Sequence, residues 1–280
     1  MIIDGKAIAG QILQDLKARS ERLARQAGRK PCLAVVLVGD NPASRIYVNA
    51  KIKAAATSGI DGREIDLPDT VTQKELLQTV QSLNTDPTVD GILVQLPLPA
   101  QIDAGIIIDA ISPAKDADGL HPTNVAALQL GRPGIIPCTP RGIMHLIDST
   151  GISIEGKHAV VVGRSNMVGK PTAKLLLDRN ATVTIAHSRT TGLASITHTA
   201  DILVVATGCH GLIDGTMVKP GAVVIDVGIT RIGNSLKADV DFPSASQIAG
   251  WITPVPGGVG PMTVAMLMAN TVDCFESHLS

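Results

Sequence analysis

Aromatic side chains are almost missing from this 280-residue chain: Tyr47, Trp251, Phe242 and Phe275 are the whole set. Its apolar mass is therefore aliphatic, and a chain rich in Val, Ile, Leu and Ala with abundant Gly suits buried parallel strands and packed helices. Charge of either sign is not in excess either. A net charge of −1 supplies no global field for nucleic acid or an acidic membrane. Cys32, Cys138, Cys209 and Cys274 form no C-x-x-C and follow no secretory leader, so they read as reduced core thiols of a cytosolic protein. The seven histidines have no metal-ligand spacing, and no metal site is expected. Apolar runs such as Ala159–Val162 and Ile202–Ala206 are too short to span a bilayer. Met1-Ile-Ile-Asp-Gly5 lacks the basic start of a targeting peptide, and no repeat of solenoid length occurs.

What is present is the composition of a globular protein, 45% hydrophobic and 18% charged, with length enough for two domains. Apolar positions at Ile8, Ile12, Leu16 and Leu23 predict an amphipathic helix over about 6–27. Cys32–Val38 is a continuous apolar run, a strand buried on both faces, and Gly39-Asp-Asn-Pro42 turns the chain. A helix through Tyr47 and Lys51 comes next. Strand 64–67, helix 73–84, strand 91–95 and helix 104–111 then alternate, which predicts an α/β layer with a parallel sheet. Helical patterns over 124–130 and 141–148 flank a domain change near Gly131-Arg-Pro-Gly134. A second α/β unit opens with strand 157–162, turn 163–169 and helix 171–179, followed by apolar runs at 182–186, 201–206 and 222–227. Pro254–Pro261 reads as a loop leading into an apolar helix from Met262. The expected domains are 1–135 and 136–261, with helix 262–280 packing back on the first.

Two stretches carry chemistry. Tyr47 and Lys51 are four residues apart, so on a helix the phenol and the ammonium share a face. Taken alone, the pair reads as a surface helix with a half-buried Tyr and a solvated Lys. In the second unit, Gly163, Ser165 and Gly169 sit between a strand and a helix, the context in which backbone N–H groups and a helix N-terminus hold a pyrophosphate. The pattern G-x-S-x-x-x-G departs from the usual G-x-G-x-x-G. At the end of the next strand, where NAD-binding units place an acid for the ribose 2′-hydroxyl, stand Ala186-His-Ser-Arg189, with Arg164 in the first turn. Hydroxyls and guanidinium groups suit a 2′-phosphate, which favours NADP over NAD. The plainer reading of Arg164 and Arg189 is as surface charges.

Six motifs then occur in one order: Ser44-x-x-Tyr-Val-x-x-Lys51, Asp90-Gly-Ile-Leu-Val-Gln-Leu-Pro-Leu-Pro99, Lys115-Asp-Ala-Asp-Gly119, Pro137-Cys-Thr-Pro140, Val162-Gly-Arg-Ser165 and Pro254-Val-Pro-Gly-Gly-Val-Gly-Pro-Met-Thr263. Over essentially the whole chain they resemble the bacterial bifunctional methylenetetrahydrofolate dehydrogenase/methenyltetrahydrofolate cyclohydrolase family. The resemblance implies two α/β domains about a cleft, the second Rossmann-like with NADP, folate between them, and a cytoplasmic homodimer formed through the cofactor domains. It implies hydride transfer from 5,10-methylenetetrahydrofolate to NADP, then hydrolysis of the methenyl product to 10-formyltetrahydrofolate, a one-carbon step that serves purine biosynthesis.

Carried onto this sequence, Tyr47 stacks on the folate, Lys51 is the central catalytic group, and Gln95 hydrogen-bonds and tunes that lysine. Asp118 binds the pterin's amino and ring N–H groups. Asp116 competes for that role, and an Asp-Gly step is also ordinary turn chemistry. Val94 and Leu96, beside Gln95, and Pro256, Gly257, Gly258, Val259 and Gly260 are the remaining substrate contacts. Gly163, Arg164, Ser165, Ser188 and Ile229 match the cofactor contacts. The chain departs from the family at Ala238-Asp-Val240, where Gly-Asp-Val is usual. Two other readings stay open: a dehydrogenase without cyclohydrolase activity, and a non-catalytic nucleotide-sensing protein. A generic Rossmann-type reductase accounts for the second domain only.

Overall fold

The structure is a computed structural model that describes residues 1–228, 230–232 and 235–279. In chain order its first elements are α1 (Gly5–Ala27), β1 (Cys32–Val38), α2 (Pro42–Thr57), β2 (Asp61–Leu67), α3 (Gln73–Thr85), β3 (Gly91–Val94), α4 (Ala104–Ala110) and α5 (Pro122–Gln129). There follow α6 (Cys138–Asp148), β4 (His158–Val162), α7 (Gly169–Asp178), β5 (Thr182–Ala186), α8 (Leu193–Thr197) and β6 (Ile202–Val205). The last are β7 (Val223–Asp226), β8 (Thr230–Ile232), β9 (Ser235–Lys237), α9 (Phe242–Ala245), β10 (Trp251–Ile252) and α10 (Val259–His278). Two compact units emerge, one of Gly10–Cys138 with Val264–Ser280, the other of Met1–Ala9 with Thr139–Thr263. Among the described residues no helix is long and apolar enough to cross a membrane.

The first unit is built on a three-stranded parallel sheet, order β2-β1-β3. Every residue of the central strand β1 is buried, as a strand covered on both faces requires. Edge strand β2 starts at Asp61, earlier than its apolar residues indicate, because Asp61, Gly62 and Arg63 pair with Cys32, Leu33 and Ala34. Its polar residues sit where an edge faces water. Below the sheet, α3 is fixed at both ends. Thr72 and Glu75 form a reciprocal capping box. At the other end the buried Lys115 donates from Nζ to Leu83 O (3.2 Å) and Asp86 O (2.7 Å), a cation on the carbonyl end of the helix dipole.

Asp90, fully buried just before β3, ties the lower rim of this unit together. It takes two bonds from Arg29 (2.6 and 2.8 Å), one from the Cys32 amide (2.9 Å), and lies 3.1 Å from His278 Nδ1. Arg29 also lies over the Phe275 ring, 4.8 Å from its centroid, so one guanidinium joins the sheet to α10.

The second unit carries a five-stranded parallel sheet, order β10-β7-β6-β4-β5, with an antiparallel β8–β9 pair beside it. The strand expected over 157–162 is β4, and the three apolar runs that follow it are β5, β6 and β7; β4, β6 and β7 are buried nearly throughout, whereas in β5 only Ala186 is buried. Because β4 has β5 on one side and β6 on the other, the strand order reverses there. The carboxyl ends of β4 and β6 therefore flank a topological switch point, where open α/β sheets bind ligands. The helix expected from Met262 begins at Val259. Pro261 is compatible with a first helical turn because that turn's N–H groups need no intrahelical acceptor.

Asp90→Ala removes a buried carboxylate and strands Arg29. Breaking a buried ion pair usually costs about 3–5 kcal/mol, and partial exposure of Arg29 reduces this to about 2–3 kcal/mol. Urea unfolding followed by circular dichroism should show that loss, with a smaller one for Asp90→Asn, which still accepts from Cys32.

Candidate active site and nucleotide site

Asn41 starts α2 by accepting from the Ala43 and Ser44 amides, with Pro42 at the first helical position. The helix then presents Tyr47 and Lys51 one turn apart. Tyr47 is 42% exposed, leaving its ring face open to a planar partner. Lys51 is half-buried, and its Nζ donates to Gln95 Oε1 at 2.7 Å. Gln95 extends β3: its amide donates to Val36 O (2.8 Å), continuing the ladder past the buried Val94. Its side-chain Nε2 donates to Leu96 O at 2.6 Å, which fixes the amide so that the oxygen faces the lysine. A helix and a strand end 44 residues apart thus aim one donor at one acceptor.

Burial pushes the Lys51 ammonium toward neutrality, and the charge of Asp118 works against that shift. Asp118 is the mirror case. Burial raises its carboxyl above the ordinary range, Lys51 holds it down, and Asp116 adds to the rise. In both groups desolvation is the largest influence. The outcome is a lysine that loses its proton more readily than a surface lysine, next to a carboxyl whose ionisation depends on that lysine.

The loop 115–119 separates its two aspartates by workload. Asp116 is buried and filled: Oδ1 accepts from the Gly119 amide (3.0 Å), and Oδ2 accepts from the His121 amide (2.8 Å) and Asn124 Nδ2 (2.9 Å). Asp118 takes none of these loop donors; its side-chain hydrogen bond is with Cys138. Of the two candidates, Asp116 builds the loop, and Asp118, which the match to the family's Asp-Gly step favours, has acceptor capacity for a ligand. Behind them, Asn270 Nδ2 donates to Ala117 O and Ile136 O (both 2.9 Å), and Cys138 Sγ donates to Ala117 O (3.3 Å). Neither Asn270 nor Cys138 stands out in the sequence; the Pro137-Cys-Thr-Pro140 motif was the available signal for the second.

In the other unit, Gly163 ends β4 at φ +128°, and a Cβ there would lie 2.2 Å from Ala206 O. Backbone passes backbone at the switch point, and only glycine allows it. Ser165 Oγ accepts from the Val168 and Gly169 amides (3.2 and 3.3 Å), capping the start of α7 while remaining exposed. Arg164 and Ser188 are exposed at the carboxyl edges of β4 and β5. Ile229 lies outside the described residues. Pro256, Gly257 and Gly258 precede α10, whereas Val259 and Gly260 form its first turn rather than part of a loop. Gly258 has a packing reason of its own, since a Cβ would lie 2.6 Å from Pro254 O. The sequence reading also passed over Asp226 and Asp239, both buried behind the strand ends.

A parallel-sheet unit with a glycine at its switch point and a second unit centred on a buried lysine define a dinucleotide-linked enzyme. Residues 3–118 match the catalytic domain, and residues 137–279 the NAD(P)-binding domain, of tetrahydrofolate dehydrogenase/cyclohydrolase. The chain belongs to that family. It is 56% identical over 272 residues to the bifunctional protein FolD of Listeria innocua, covering 97% of this chain and 95% of that one. Its fold matches the bifunctional FolD enzyme of Campylobacter jejuni with a TM-score of 0.96, at 47% identity and 99% coverage of each chain. The Trypanosoma brucei dehydrogenase-cyclohydrolase, solved with NADP and an inhibitor, gives a TM-score of 0.96 at 41% identity, over 100% of this chain and 98% of that one.

Competitive amine labelling across pH, read by mass spectrometry, should find Lys51 titrating below the ordinary lysine value of about 10.4. Asp118 favours the ammonium, so Asp118→Asn removes an influence that raises the pKa, and the Lys51 midpoint should fall further. A midpoint that rises in the variant contradicts the pairing.

Proposed function

We propose that this protein oxidises 5,10-methylenetetrahydrofolate to the 5,10-methenyl form with NADP and hydrolyses that product to 10-formyltetrahydrofolate. The observation that carries the residue assignment is the Lys51–Gln95 hydrogen bond in a setting that lowers the lysine's proton affinity. NADP accepts the hydride when bound. Gly163, Arg164, Ser165 and Ser188 would hold it: the close backbone at Gly163 admits a pyrophosphate, and an exposed guanidinium with two exposed hydroxyls suits a 2′-phosphate.

Tyr47 supplies a ring face to the folate, and Asp118 accepts from the pterin's N–H groups. Val94 and Leu96 flank Gln95 as apolar contacts, and Pro256–Gly260 offers backbone to the substrate. For hydrolysis, neutral Lys51 takes a proton from the water that adds to the methenyl carbon. The C–O bond forms first and gives a neutral carbinolamine; its collapse to the formyl C=O breaks one C–N bond of the ring, the freed nitrogen takes the proton returned by Lys51, and the second proton of the water leaves to solvent. Gln95 Oε1 receives the ammonium so formed, which keeps Nζ aimed through both protonation states. A protein that only sensed nucleotide would have no use for a desolvated lysine tuned in this way. We further place the protein in the cytosol as a homodimer formed through its nucleotide units, in the one-carbon supply to purine synthesis; four free cysteines, three in the core as expected and Cys209 exposed instead, agree with a reducing compartment.

The test is an absorbance assay with methylenetetrahydrofolate plus NADP or NAD, then with methenyltetrahydrofolate alone. Lys51→Met should lower hydrolysis by about 10²–10⁴-fold while NADP still binds. Retained hydrolysis would take the proton-transfer role from Lys51. Arg164→Ala should raise the KM for NADP about 10-fold or more and leave that for NAD nearly unchanged, the scale of one charge-assisted hydrogen bond.

A further inference from the structure

The turn that leaves β6 is held by the carboxylate of the Ala238-Asp-Val240 stretch, to which the sequence alone assigns no role. Asp239 is fully buried, and its Oδ2 accepts from the Thr207 amide (2.6 Å), the Thr207 hydroxyl (2.8 Å) and the Gly208 amide (2.8 Å). Its Oδ1 has no hydrogen-bond partner among the described residues and faces Gly228, where a Cβ would lie 2.1 Å away. A second buried carboxylate stands behind the first. Asp226 Oδ1 accepts from the Gly228 amide (2.9 Å) and the Asp239 amide (3.2 Å), and its Oδ2 accepts from the Val240 amide (2.9 Å). The Asp226 amide in turn donates to Thr253 Oγ1 at 2.8 Å. Two carboxylates in series thus clamp the exits of β6 and β7.

The clamp reaches the switch point. Ala206, one residue before the clamped turn, donates its amide to Val162 O at 2.8 Å, and its carbonyl occupies the space that a Gly163 Cβ would need. A buried carboxylate is costly unless its oxygens are filled, and here one is left without a partner while the other gathers three donors from a single turn. The side chain is spent on locating that turn.

We propose that Asp239 is a positioning residue for nucleotide binding: it sets the Thr207–Gly208 turn beside Gly163, and Asp226 sets Asp239. The inference rests on the NADP reading above and goes beyond it, because Asp239 and Asp226 act through backbone and need not touch the dinucleotide. It also predicts a separation of the two activities, since hydrolysis of the methenyl compound consumes no NADP.

The experiment measures NADP affinity by calorimetry alongside the kinetics of both reactions. Asp239→Ala should raise the Kd and KM for NADP about tenfold or more while methenyl hydrolysis stays within about twofold. Asp239→Asn keeps a neutral acceptor oxygen for the turn and should restore most of the affinity. Thr207→Val removes the hydroxyl donor alone and should weaken NADP about threefold. Unchanged affinity in Asp239→Ala, or an equal fall in both activities, overturns the proposal. Should that variant not fold, unchanged affinity in Thr207→Val overturns it instead. Calorimetry keeps the two readings distinct: wild-type protein that binds NADP without oxidising the folate would refute the assigned reaction, and the positioning role would still be judged on the Kd.

Discussion

The chemistry proposed for the first unit depends on a desolvated lysine and a desolvated carboxyl whose charges act on each other. Burial drives each of them toward its neutral form, and the charge of each opposes that shift in the other. The two influences act in opposite directions on each group, desolvation being the larger. A lysine held wholly as the ammonium has no lone pair to take a proton, and one held wholly as the amine has none to return. Gln95 adds direction: a neutral oxygen at 2.7 Å holds Nζ in place without fixing its protonation state, as a second carboxylate would.

The same sheet geometry serves both units. Within each sheet the strands run parallel, so their carboxyl ends share an edge, and the residues assigned a role above follow such an edge: Gln95 after β3 in one unit, and Gly163 and Arg164 after β4, Ser188 after β5, and Thr207 and Gly208 after β6 in the other. Loops at such an edge have no ladder to satisfy their backbone. In this protein, buried acids supply what the ladder does not. Asp116 accepts from the 119–124 segment, Asp239 from 207–208, and Asp226 from 228 and 239–240. Precision at the functional edge is obtained by taking carboxylates out of water and filling them with N–H groups.

Much of this was legible because it is local. The i, i+4 spacing places Tyr47 and Lys51 on one helix face, and unbroken aliphatic runs mark β1, β4, β6 and β7. Long-range pairing was not legible from periodicity. Nothing between Lys51 and Gln95 says that they meet; only the order of motifs suggested it. The choice of Asp118 over Asp116 rests on the match to the family's Asp-Gly step, since by turn chemistry alone both fit. The helix start at Val259 was hidden by three glycines and a proline, which signal a loop until one notes that a first turn tolerates Pro261. Ala238-Asp-Val240 stood out only for its departure from the family's Gly-Asp-Val, and nothing in that string gives Asp239 a partner. Its importance lies in partners 31 and 32 residues away.

Aspartate therefore does two jobs in this protein, and residue type does not distinguish them. What does is whether the oxygens are already occupied by the protein's own donors. Asp116 and Asp226 are filled by backbone and amide groups, so a ligand could gain nothing from them without breaking the loop. Asp118 bonds to a weak thiol donor and faces an ammonium that can move its proton elsewhere, so it retains capacity for a strong bidentate partner. Asp239 stands between these cases, one oxygen saturated and the other, against Gly228, without a partner among the described residues. That second oxygen faces backbone that admits no side chain, which assigns Asp239 to the scaffold. A cluster of acids near a nucleotide edge is thus resolved by counting donors rather than carboxylates.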